Sequence, residues 1–257
     1  MIKPTLKKKL ESNELTIGSW ISFGFTQTCE IMSKAGFEWL VIDMEHTAID
    51  YSQCLNLIQI IENNGVVPLV RVGNNDKLQI KRVMDAGAHG VIVPMINTVE
   101  DALETIDALY YAPKGSRGVG LGRGQNYGVD FEQYKLWADK ETIFIPQIEN
   151  IEGVNNLEEI LSLEHVDGFI IGPYDLSSSL GVPGQWDHPT LIKALEEINS
   201  IIKNNKKPGG YHVVHTDHKE LNRRIDEGYK FIAYLDDMVF FAENIAKETN
   251  FISELRK

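Results

Sequence analysis

A chain of 257 residues with a formal net charge of −12 argues against a nucleic-acid partner, which calls for a basic face. The apolar residues, 43% of the total, fall in short runs, and none approaches the ~20 residues of a membrane helix. Two cysteines, Cys29 and Cys54, are too few for a disulfide framework, so reduced thiols in a cytoplasmic protein are expected.

The first residues, MIKPTLKKKLESNELTIGSW, hold a basic cluster with no apolar run behind it, which argues against a secretory signal. From there, apolar β-type runs recur at 16–21, 39–44, 67–72, 90–94, 143–148, 166–171, 209–214 and 230–235. Continuous runs rich in Val and Ile are what strands buried on both faces look like. Helical periodicity fills 26–34, 51–63, 76–86 and 99–109, with cap candidates such as Asp76 and Thr98 before and Gly65 or Gly87 after. Eight strands alternating with helices over this length predict one α/β domain, residues 1–257, folded as a (β/α)8 TIM barrel. An open doubly wound sheet would carry a Gly-rich phosphate loop after its first strand, and TIGSWISFG is not one.

Residues 110–140 break the rhythm. The stretch is long and Gly-rich, carries Arg117 and Arg123, and reads as a lid, a binding loop or an interface arm. Residues 236–257 read as a helix with a strongly apolar side, Met238, Phe240, Phe241, Ile245, Phe251 and Ile252, which hints at subunit packing.

Polar groups collect where the runs end. Strand two gives Asp43, Glu45 and His46, strand three Arg71, strand five Gln147 and Glu149, and strand six leads into Gly172, Tyr174 and Asp175. In parallel α/β folds the chemistry gathers at that end. Glu149 and Asp175, at consecutive strand ends, are two hard oxygen donors suited to a divalent cation that keeps open positions for a chelating substrate such as a 2-oxo acid. Arg71 can hold a carboxylate or an enolate oxygen. His46 is a fair general base, and either Asp43 or Asp85 could orient it.

Other residues are weighed and set aside. His212, His215 and His218 have zinc-like spacing, but the segment reads as a strand entering a turn, where 212 and 215 face opposite ways. His89, His165 and His188 sit in connections. Lys206, Lys207 and Lys230 lie at the wrong end of their strands for a Schiff base, and Lys77 and Lys114 in a helix start and a loop, which favours metal-assisted over imine chemistry.

GSWISFGFTQTCEIMSKAGFEWLVIDMEHT, VPLVRV, MDAGAHGVIVPMINTVEDA, PQIENIEGVNNLEEI and GPYDLSSSLG together resemble the HpcH/HpaI aldolases, in the right order and from residue 16 to about 235. The resemblance implies a class II aldolase, dependent on Mg2+, Mn2+ or Co2+, that cleaves a 4-hydroxy-2-oxo acid or 2-keto-3-deoxy sugar acid to pyruvate and an aldehyde through pyruvate enolate. It implies Glu149 and Asp175 as metal ligands, Arg71 as the enolate-stabilising arginine, His46 as base and Asp85 as the acid that raises its basicity. Gln147, Gly172, Tyr174 and Asp175 are implied to meet the substrate, and Tyr174 departs from the family's frequent alanine. It further implies a homo-oligomer, a hexamer built as a trimer of dimers, that exchanges its last helix between subunits. The loop 115–128 is expected to help select the aldehyde, from the same or a neighbouring subunit. Oxaloacetate decarboxylation and citryl- or malyl-CoA cleavage are the competing reactions, the latter with only Arg117 and Arg123 to hold the CoA. A barrel kept for ligand binding or assembly is the non-enzyme alternative.

Overall fold

A computed structural model describes residues 5–255. In chain order the elements are α1 (Leu6–Glu11), β1 (Thr16–Ile21), α2 (Thr26–Ser33), β2 (Trp39–Asp43), α3 (Tyr51–Asn63), β3 (Val67–Arg71), α4 (Lys77–Ala86) and β4 (Gly90–Val93). There follow α5 (Val99–Leu109), α6 (Phe131–Glu141), β5 (Ile143–Ile148), α7 (Ile151–Asn155), α8 (Leu157–Ser162), β6 (Phe169–Ile171) and α9 (Pro173–Ser179). The chain continues through α10 (Pro189–Asn204), β7 (Gly209–Val213), α11 (His218–Glu227), β8 (Phe231–Asp236) and α12 (Asp237–Leu255). The strands pair in parallel in sequence order, and β8 closes on β1, so the fold is the expected (β/α)8 barrel. Its helices start where the sequence offers caps: Asp50, Asp76 and Thr98 each accept the backbone N–H three residues on.

The core has two layers. Inward side chains, two apart along each strand, fill the barrel: Trp20, Trp39, Val41, Leu69, Ile92, Ile145, Ile170 and Phe231 among them. Trp39 stacks on Phe231 with centroids 4.0 Å apart and donates through its indole nitrogen to Thr16. Gly18 permits this, since a Cβ there would lie 2.1 Å from the Trp39 ring. Outward side chains such as Leu40, Ile42, Val70, Val91 and Phe144 pack under the helices. At the end of the barrel where the strands begin, α1 adds Leu6 and Leu10 to the interior column, and buried Lys7 pairs with Asp167 at 2.6 Å.

Two expectations change, and one helix was not expected. The sixth strand begins at Phe169 rather than 166, because the Asp167 carboxylate accepts the Phe144 N–H and is tied to Lys7. The stretch 110–140 is not a loop throughout: a 3-10 segment spans Arg123–Gly128 and α6 follows, its Tyr134 and Ala138 buried. The sequence also gave no sign of α1. The last helix, by contrast, is where it was expected, and it leaves its apolar side chains in solvent, with Phe241 58% and Phe251 57% exposed. Arg256 and Lys257, the end of that predicted helix, lie outside the described residues.

Candidate active site at the carboxyl ends of the strands

Alternation along the strands turns Trp20, Asp43, Arg71, Gln147 and His212 inward in the last layer of the barrel, where no further apolar layer covers them. With Tyr174, Asp175 and Trp186, most of them line a cavity of about 440 Å³. Larger hollows open at the opposite end, around α1, away from all of these residues.

Arg71 is the most connected group. Its Nε and Nη2 donate to the two oxygens of Asp43 at 2.9 and 2.8 Å, and its Nη1 donates to Gln147 at 3.3 Å and lies 3.2 Å from Glu45. The Trp20 ring lies under the guanidinium, 5.2 Å from centroid to Cζ. Burial works against this charge, but Asp43, Glu45 and Glu149 outweigh it and push its pKa up. Burial also lifts the Glu45 carboxyl above its ordinary range, with Arg71 opposing and Glu149 adding to the rise.

Glu149 is 4% exposed and firmly placed. One carboxylate oxygen accepts the Met95 N–H at 2.7 Å, the other the Gln147 amide at 2.5 Å. Met95 adopts φ of 54°, a strained conformation for a non-glycine residue, and this is what turns its N–H to the acid. Burial raises the Glu149 pKa, and Asp175 raises it further. Asp175 stands in the first turn of α9, carried there by Gly172 and Pro173.

The two acids converge beside Gly172: a methyl group on that residue would sit 3.0 Å from Oε2 of Glu149 and 3.9 Å from Oδ2 of Asp175. A gap of this kind, beside a buried carboxylate with a second carboxylate facing it, fits a hard cation. Among the described residues no third carboxylate, histidine or cysteine joins them, which matches ions that keep water or substrate as their other ligands.

His46 is exposed in the turn after β2, its backbone N–H directed at Asp43 and its Nε2 3.7 Å from Glu45. Asp43 therefore holds the turn and Arg71, not the imidazole. Asp85 is elsewhere. It lies in the last turn of α4, which runs back from the mouth, so it faces the opposite end of its own barrel from His46. There it accepts from Arg117 at 2.6 Å and from Gln125 at 3.2 Å. The loop 115–128 is packed on the same end, where Arg123 engages Glu62. Neither Arg117 nor Arg123 forms a basic collar at its own mouth. Tyr174 is exposed and meets Trp186 edge-on at 6.2 Å. Trp20, Met95 and His212 were not singled out for this site in the sequence; the inward alternation of β1 and β7 was the available signal for two of them.

A family model described as HpcH/HpaI aldolase/citrate lyase matches residues 17–242. The chain is 36% identical over 236 residues to a hydroxypyruvate/pyruvate aldolase of Roseobacter denitrificans, covering 91% of each chain. It is 32% identical to a 5-keto-4-deoxy-D-glucarate aldolase of Escherichia fergusonii, again over 91% of each. A solved structure of an HpcH/HpaI aldolase/citrate lyase family protein from Burkholderia cenocepacia superposes with a TM-score of 0.89 at 28% identity, covering 99% of this chain and 100% of that one.

Proposed function

The chain belongs to the HpcH/HpaI aldolase/citrate lyase family, and we propose that it is a class II aldolase that reversibly cleaves a 4-hydroxy-2-oxo acid to pyruvate and an aldehyde. The observation that carries this reading is the convergence of Glu149 and Asp175 beside Gly172, where Gly172 and Asp175 line the same cavity as Arg71 and Gln147.

Glu149 and Asp175 would hold a divalent cation, which when bound would supply Lewis-acid polarisation to the 2-oxo group. Of its five N–H donors Arg71 spends two on Asp43 and turns its Nη1 to Gln147 and Glu45, so an Nη2 N–H remains for the oxygen that becomes the enolate. Asp43 fixes the plane of that fork. Gln147 orients both Arg71 and Glu149, and Gly172 leaves room for the substrate carboxylate next to the backbone before Tyr174. His46 takes the proton from the C4 hydroxyl. The C3–C4 bond then breaks, its electron pair passes into the enolate, and the aldehyde leaves on the open side. Reversal is aldol addition.

Two parts of this reading require a second copy of the chain. Asp85 cannot serve the His46 of its own barrel, so its role as partner to that imidazole is assigned across a subunit boundary, and with it any part of the loop 115–128 in aldehyde choice. The exposed apolar side of α12 supports a homo-oligomer in which that helix packs on a neighbour. A cytoplasmic location belongs to the same reading, supported by two buried free thiols. No described helix is long and apolar enough to cross a membrane.

The test is pyruvate release from a panel of 4-hydroxy-2-oxo acids and oxaloacetate, after treatment with chelator and with Mg2+, Mn2+ or Co2+ restored in turn. Cation-dependent release is expected. Full activity after chelation, trapped by borohydride, would overturn the reading in favour of an imine.

A further inference from the structure

The reaction above uses only the backbone beside Tyr174. Its ring belongs to a wall at the mouth of the cavity. Ser177, fully buried in α9, donates through its hydroxyl to the Tyr174 carbonyl oxygen at 2.5 Å and accepts the Gly184 N–H at 2.9 Å, so the turn after α9 is folded back onto Tyr174. Gly184, with φ of 68°, passes along the ring, where a Cβ would lie 3.4 Å from Cε2 of the phenol. Trp186 then meets the phenol edge-on, with centroids 6.2 Å apart and planes at 62°. Both rings line the cavity that Arg71 and Gln147 reach from below, and each is more than half exposed. Held side by side by a buried serine, they give a polar site a fixed apolar face at its mouth.

The rest of the mouth has no cation to spare. Asp217 and Glu220 line the opposite rim. Glu220 already pairs with Arg223 and Arg224 at 2.7 Å each, and Nδ1 of His215 lies 2.6 Å from Glu243. Arg71 is engaged by Asp43, Glu45 and Gln147. Burial pushes the His212 pKa down to about 4, so that ring is neutral at physiological pH. The loop 115–128 brings no free guanidinium to a neighbour's mouth either, since Arg117 is buried on Asp85 and Arg123 engages Glu62.

A three-carbon acid on the cation site fills only the inner part of the 440 Å³. The chain beyond C4 leaves on the open side and passes the two rings. A flat apolar group there takes both rings out of water and adds ring-to-ring contact. A carboxylate there gives up its water opposite two acids and meets no unpaired cation. We infer that Tyr174 and Trp186 form an acceptor wall that selects aldehydes carrying an aromatic or other flat apolar group close to the carbonyl, in preference to aldehydes that end in a carboxylate. The inference rests on the aldolase reading above and adds the class of aldehyde.

The experiment measures kcat/KM for addition of pyruvate to 3-phenylpropanal, propanal and succinic semialdehyde, in the full-length protein with its preferred cation. The three aldehydes share one reacting end and differ in what C3 carries: a phenyl ring, a hydrogen or a carboxylate. In the wild type 3-phenylpropanal is expected to exceed propanal by about tenfold, the worth of one partly covered ring, and succinic semialdehyde to fall below propanal. Tyr174→Ala and Trp186→Ala should each cut the ratio of 3-phenylpropanal to propanal by roughly fivefold, mainly through the KM for the aldehyde. Tyr174→Phe, which keeps the ring, should keep the ratio. A wild type in which the phenyl ring brings no gain, or in which succinic semialdehyde is the best of the three, overturns the inference whether or not the variants fold. So does a ratio that survives both alanine substitutions. Failure of the wild type to add pyruvate to any of the three would overturn the aldolase reading, and this inference with it.

Discussion

Asp43 grips Arg71 at both oxygens, with contacts of 2.9 and 2.8 Å, and both groups are largely buried. The pair is a rigid fork, so the carboxylate does for the guanidinium what no water could: it fixes the plane in which the remaining N–H groups point. Asp43→Asn should leave a buried cation facing a neutral amide. Urea unfolding is expected to show a loss of roughly 3 kcal/mol, with kcat lower by about two orders of magnitude. A loss of stability with kcat intact would mean that Arg71 is aligned by Gln147 and Glu45 alone.

Glu149 and Asp175 can be separated from the fold by calorimetric titration with Mn2+. Glu149→Gln keeps the shape and loses the charge, and cation affinity is expected to drop at least about 100-fold. Asp175→Asn should do the same. Thermal unfolding without cation should change little or rise, since Glu149→Gln removes a carboxylate that burial disfavours and Asp175→Asn removes the charge that disfavours it further. Undiminished affinity in both variants would move the cation elsewhere.

Gly172→Ala probes the same gap by filling it. The backbone there is ordinary, φ −103°, so the cost of a methyl is not conformational. It would sit 3.0 Å from both Cβ and Oε2 of Glu149. Cation affinity should fall about tenfold or more while unfolding shifts by less than about 2 kcal/mol. Equal affinity would show that the cation does not use the room beside Gly172.

How far these residues were legible from sequence depends on whether their signal is local. Glu149 directly follows an apolar run, Arg71 sits at the end of another and Asp175 comes a few residues after a third, so strand end and candidate group are read together. His212 lies inside a strand, and only the barrel's closure makes its side the inner one. Met95 was invisible, because nothing in PMINT announces a positive φ whose N–H serves an acid 54 residues on. Helix α6 was passed over because its partners, Tyr111 and Arg117, come from the irregular chain before it. Asp85 shows the opposite hazard: its motif was plain, but the direction of α4 carries it away from the residue it was matched with.

Asp237 gives a pH dependence outside the catalytic cavity. Its carboxylate accepts the Ser22 and Phe23 N–H groups at 2.7 and 3.2 Å. Burial still pushes its pKa up, to about 6 from 3.8. The native state therefore holds this proton more tightly than the unfolded chain. The resulting stability is fully present below about pH 4 and is lost as pH rises through about 6. Asp237→Asn keeps an acceptor for both amides and removes the charge. At pH 7 it should gain ~2 kcal/mol, and the difference from wild type should vanish near pH 4. A constant difference across that range would assign the effect to packing.

The placement of Asp85 makes a prediction that no single-chain variant can deliver. Helix α4 carries it roughly 15 Å back from the mouth, the length of ten helical residues, and Arg117 and Gln125 hold it there. His46→Ala and Asp85→Asn should each be nearly inactive as homo-oligomers. Co-expressed in equal amounts, they should recover activity. A site that draws His46 from one chain and Asp85 from a neighbour is intact in about a quarter of random pairings across a symmetric interface. Recovery near that fraction would establish a shared site and explain why the acid points away from its own barrel. With both residues needed from one chain, mixing recovers nothing. Should Asp85→Asn alone keep full kcat and lose only stability, its bond to Arg117 would be structural and Glu45, 3.7 Å from the imidazole, would be left as the nearest acid to His46.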